Sequence, residues 1–141
     1  GKYLIFKEKS IMDYEIILDT YTIDLPEFVE QYNSSSEDKK VQFNIQKFFD
    51  AINDGDYSYA YSKLDQTYKN NNFPTQTDFE NYMKTNFYAQ NKLGYTSYEK
   101  NGDLYIYKMV ITNGENSSQT IEKQFVVKLL DGTNFVMSFE K

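Results

Sequence analysis

Phe48-Phe49-Asp50-Ala51-Ile52-Asn53-Asp54-Gly55-Asp56-Tyr57 ends one amphipathic helix and begins another. Upstream of it, Val41, Ile45, Phe48, Phe49 and Ile52 fall at i, i+4, i+7, i+8 and i+11, a continuous apolar stripe. Ser34-x-x-Glu37 reads as the capping box of this helix and Gly55 as its C′ stop. Asp56 caps a second helix, with Tyr57, Ala60, Tyr61 and Leu64 at i, i+3, i+4 and i+7, which ends in the polar run Lys69 to Asn72. Thr75-x-x-Asp78 opens a third, with Phe79, Tyr82, Met83 and Phe87 facing inward. Phe73, just before that cap, is placed to staple onto Phe79.

Downstream the period changes from helical to alternating. Leu93 to Glu99 starts the strands, and Asn101-Gly102 predicts a type I′ hairpin. Over 104–112, Tyr105, Tyr107, Met109 and Ile111 alternate with Leu104, Ile106, Lys108 and Val110. Lys108 in the second set assigns the first set to the core. Asn113 to Ser118 reads as a loop. Over 120–130, Ile121, Phe125, Val127 and Leu129 share a face interrupted by Lys123. Asp131-Gly132 turns the chain, and Phe135, Met137 and Phe139 complete the sheet.

Upstream, residues 14–23 are β-branched and aromatic and read as a strand, which Asp24-Leu25-Pro26 breaks. Pro26 then starts a short helical turn with Phe28, Val29 and Tyr32 on one side, and Asn33 to Asp38 is a Ser-rich linker. Tyr3-Leu4-Ile5-Phe6 reads either as a first strand or as the outer end of a removed membrane anchor. Gly1 points to a protein that extends upstream. The organisation expected is an N-terminal extension over 1–37 and an α+β domain over 38–141.

Composition narrows the chemistry. With 141 residues and 18% aromatics, all Tyr and Phe, one domain can bury a real core without a metal or disulfide. Cys and His are both absent, which removes thiol nucleophiles, His general bases, Ser-His-Asp triads and zinc sites of the Cys/His kind. The lack of Cys suits an oxidising compartment. All 15 cations are Lys, so no guanidinium fork exists for phosphate or guanine, and a net charge of −6 opposes nucleic acid and anionic lipid.

Phe48 to Tyr57, followed by Ala60-Tyr61 and Leu64, resembles the helix-turn-helix start of the nuclear-transport-factor-two-like superfamily, the cystatin-like cone shared with ketosteroid isomerase. The likeness is to domains that follow a membrane anchor in Gram-positive bacteria, and it covers roughly residues 38–140. It implies three helices packed on a curved antiparallel sheet, with an extra N-terminal strand or extension, and often a pocket at the open end. Members include enzymes, ligand binders, dimerisation modules and envelope scaffolds, so the fold does not choose a function. The resemblance also implies pairing of two copies through the sheet as one arrangement.

Candidate chemistry is sparse. Asp50-x-x-x-Asp54-Gly55-Asp56 fails as a calcium loop, because Ile52 stands at a required oxygen position and Tyr61 where the bidentate Glu belongs. A ketosteroid-isomerase-like site needs a carboxylate and acidic donors converging in a dry pocket. Tyr61, Tyr95, Tyr105 and Tyr107 supply hydroxyls, but a buried carboxylate is harder to find: Asp65 follows Leu64 on the second helix, and the core-facing strand positions carry none. Those four tyrosines and Lys123 form the candidate ligand site, each weighed against simple core packing. The expectation is a non-catalytic extracytoplasmic binding or protein-interaction module of a Gram-positive cell envelope. Its partner would be a protein or the cell wall, no cofactor would be needed, and the membrane would be reached only through an upstream anchor. The alternatives are a small-ligand carrier or pocket enzyme using Tyr hydroxyls and a carboxylate, and a cytosolic domain without an anchor.

Overall fold

The computed structural model describes residues 25–141, with side chains from Glu30 onward. The strand expected over 14–23, the segment 3–6, and the side chains of Phe28 and Val29 lie outside this description. Five helices precede four strands: α1 (Leu25–Ser34), α2 (Glu37–Asp54), α3 (Tyr57–Ser62), α4 (Gln66–Asn72), α5 (Gln76–Asn86), β1 (Asn91–Asn101), β2 (Leu104–Asn113), β3 (Asn116–Leu129) and β4 (Phe135–Phe139). The strands form an open antiparallel sheet in the order β1-β2-β3-β4. This is the α+β class, helices first, that the change of period predicts.

The stripe of α2 is buried as expected: Val41, Ile45, Phe48 and Phe49 are fully inaccessible and Ile52 nearly so. Its end is a Schellman motif. Gly55 is left-handed at φ +79°, its N–H donates to Ile52 O at 3.0 Å, and the Asp56 N–H donates to Ala51 O at 2.8 Å. The start differs from the expected capping box. Ser34 closes α1, Ser36 is the N-cap, and its hydroxyl donates to the Asp38 carboxylate rather than capping a backbone N–H.

The expected second helix is two short ones. Asp65 interrupts it by accepting from the Tyr68 N–H at 3.0 Å, which starts α4 afresh. The intervening backbone turns to the sheet: Asp65 N donates to Met137 O and Met137 N to Lys63 O, each at 2.9 Å. A tertiary backbone pairing thus overrides the helical period, and residues 63–65 cover part of the outer edge of β4. The third helix follows expectation, with Thr75 capping Asp78 and Phe73 against Phe79 at 5.6 Å between ring centroids.

Turns set the sheet. Asn101 pairs with Leu104, so the first hairpin turns on Gly102-Asp103, not on Asn101-Gly102. Only its first central residue has positive φ (Gly102, +66°), the signature of type II′ rather than I′. The loop expected over 113–118 is also shorter. β2 runs to Asn113 and β3 begins at Asn116, because Asn113 pairs with Asn116 beyond a register shift that follows the Thr112–Thr120 pair. Gly114 in that turn donates to Gln90 O at 2.8 Å, and a Cβ there would stand 3.0 Å from the Gln90 Cβ.

Tyr105, Tyr107, Met109 and Ile111 do face the core, joined by Phe125, Val127, Phe135, Met137 and Phe139. The opposite face is not left to water: Leu104, Ile106 and Val126 form a second small apolar cluster. Phe139 is the hub of the main core. Its ring lies within 6.4 Å of those of Phe48, Tyr68, Phe73, Tyr82, Phe87 and Phe125. Lys47, which the helical pattern leaves to solvent, is buried. Its ammonium donates to Thr133 O at 3.4 Å and stands 5.5 Å from the Phe135 ring centroid.

Candidate functional site

A bulge in β1 builds the most distinctive surface. Tyr95 pairs with Met109 and Ser97 with Lys108, leaving Thr96 as the extra residue. Strict alternation puts Tyr95 and Tyr98 on opposite faces; the extra residue brings both to the inner face. Tyr98 then lies opposite Tyr107, and Lys100 opposite Tyr105. The Tyr98 ring stacks on Tyr107 at 5.1 Å and 18° between planes, Tyr95 meets Tyr107 edge-on at 5.4 Å, and Tyr105 lies 6.5 Å from Tyr98.

The hydroxyls of three of these tyrosines are held by the first turns of α2. Tyr95 donates to Gln42 O at 3.1 Å, Gln42 Nε2 donates to the Tyr107 hydroxyl at 2.9 Å, and Tyr105 donates to the Glu37 carboxylate. Burial raises the ionisation point of Tyr95, Tyr105 and Tyr107, so they remain neutral donors at physiological pH. The Tyr105 hydrogen bond and then that of Lys100 hold Glu37 below the ordinary glutamate range. Lys100 pairs with Glu37 at 3.1 Å, both side chains at least half exposed, and lies 5.4 Å from the Tyr105 centroid. Tyr98 stands apart: at 47% exposure it is the one large apolar side chain open to solvent among the described residues.

The structure brings Tyr95, Tyr105 and Tyr107 together and separates them from the other two candidates. Tyr61 packs on Phe79 at 5.6 Å and donates to Phe73 O at 2.6 Å, in the α3–α5 layer. Lys123 donates to the Tyr82 hydroxyl at 3.0 Å and lies over Tyr82 and Phe87. Between these groups the interior is filled with aromatic rings from α2, α5, β3 and β4. Asp65, the carboxylate considered for acid-base chemistry, is buried but spends an oxygen on the start of α4. A depression of about 430 Å³ lies on the other face of the sheet, where Lys108, Glu122 and Glu140 give it mixed charge.

Pattern reading missed Tyr98, Lys100, Glu37 and Gln42. The Tyr95-x-x-Tyr98 spacing was visible, but only a bulge gives it meaning in a strand. Among the described residues, no group of three or more acidic side chains is arranged to hold a metal, and no helix is long and apolar enough to cross a membrane. No family model, curated protein or solved structure matches the chain.

Proposed function

We propose that this chain is a non-catalytic binding or protein-interaction module of a Gram-positive cell envelope, working outside the cytoplasm in a nuclear-transport-factor-two-like fold. The observation that carries the binding role is the Tyr98 ring, fixed by stacking on Tyr107 and half open to solvent. A rigid aromatic anchor of this kind contributes contact area at small cost in side-chain ordering. The filled interior favours a surface ligand over pocket chemistry, and the lack of Cys and His supports the same choice. The envelope assignment draws on the absence of Cys and on the resemblance carried by Phe48 to Tyr57.

The test is co-sedimentation of the purified chain with insoluble Gram-positive cell wall, beside Tyr98→Ala and Tyr61→Ala variants. Saturable binding that Tyr98→Ala abolishes and Tyr61→Ala leaves intact is the expected result. Sedimentation no greater than that of an acidic control protein overturns the envelope assignment.

A further inference from the structure

We propose that the tyrosine surface recognises a carbohydrate, with one pyranose ring on the open face of Tyr98 and two adjacent hydroxyls held by the Glu37–Lys100 pair. The proposal rests on the binding-module reading of the same surface and names its ligand class. The inner face of Tyr98 is taken by Tyr107, at 5.1 Å and nearly parallel, so its outer face is a plate of fixed orientation. The C–H face of a sugar carries slight positive charge and seats on the negative face of an aromatic ring.

Beside that plate, an acceptor and a donor stand 3.1 Å apart, Glu37 and Lys100, both at least half exposed. The spacing matches neighbouring ring hydroxyls, one donating to the carboxylate while the next accepts from the ammonium. Tyr105 joins the two parts, lying 6.5 Å from Tyr98, donating to Glu37 and carrying Lys100 over its ring.

Charge favours a neutral ligand. Glu37 is offset by Lys40 and Lys100, and Asp38 by Lys39, each close enough to act on its carboxylate. In a chain of net charge −6 this is a nearly balanced patch, with no guanidinium to hold a phosphate. A proline-rich peptide needs grooves between aromatic ridges. Here the neighbouring hydroxyls of Tyr95, Tyr105 and Tyr107 are tied to α2, which leaves one open plate.

The experiment titrates the 141-residue chain, ¹³C-labelled on its tyrosine rings, with chitotetraose and, separately, with a proline-rich decapeptide, read by NMR. Chitotetraose is expected to shift the Tyr98 ring signals saturably. Tyr98→Ala should weaken binding by about tenfold or more, as truncation of a central aromatic anchor does. Lys100→Ala should weaken it several-fold, and Tyr61→Ala should leave it unchanged. Far-UV circular dichroism checks that each variant is folded; both Tyr98 and Lys100 are exposed. The proposal is overturned by no shift up to about 10 mM sugar, by equal affinity in Tyr98→Ala, or by shifts with the peptide alone. Cell-wall sedimentation that persists beside a flat chitotetraose titration refutes the carbohydrate and spares the envelope module; loss of both refutes both.

Discussion

Replacing Phe139 by Ala tests whether the interior is filled. The ring is 4% exposed and touches six others, although it lies two residues from the end of the chain. Truncation removes a transfer contribution of about 2 kcal/mol. It also leaves a void: about 50–80 Å³ remaining after relaxation, at about 24 cal/mol per Å³, adds about 1–2 kcal/mol. The sum, about 3–4 kcal/mol, is a large share of the roughly 5–15 kcal/mol that holds a domain together. Equilibrium urea unfolding is the assay. At a slope of about 2 kcal/mol per M, the midpoint should fall by about 1.5–2 M with the slope unchanged. Phe139→Leu should lose less than half as much, because it refills most of the void. A loss below about 1.5 kcal/mol for Phe139→Ala would refute the packed hub and reopen the interior as a ligand cavity.

Two further outcomes are expected. Gly55→Ala places a Cβ in open space, so its cost is the left-handed backbone alone, about 1–2 kcal/mol by urea unfolding; an unchanged midpoint would contradict the Schellman termination of α2. Burial raises Tyr68 and Tyr95 from the ordinary 10.0, so the folded state holds their protons more tightly than the unfolded chain does. The stability they contribute is therefore complete below pH 10.0 and is lost as pH rises beyond it. Tyrosinate absorbance and far-UV circular dichroism, followed together in alkali, should show some of the 14 tyrosines ionising only as the chain unfolds. Ionisation of all of them with the helices intact would count against the buried placements.

What the sequence settled by itself was local. The stripe Val41 to Ile52, the Gly55 stop, the caps at Asp56 and Thr75 and the inward set Tyr105 to Ile111 are each fixed by neighbours within a few residues. Their physical causes, side-chain period, a free φ at glycine and short polar caps, are properties of the chain segment alone. What only the tertiary structure decided depends on distant partners. Leu64 lies on a helical stripe, yet β4 captures the backbone at 63–65 and splits that helix. Lys47 is buried because Thr133 O and the Phe135 ring, far along the chain, replace its water. The tyrosine surface is the clearest case. One unpaired residue, Thr96, reverses the facing of everything after it in β1, and the pairing with β2 reveals where that residue falls. That reversal sets Tyr98 against Tyr107 and Lys100 beside Tyr105, and the helix start at Glu37 completes the surface from the other side of the fold.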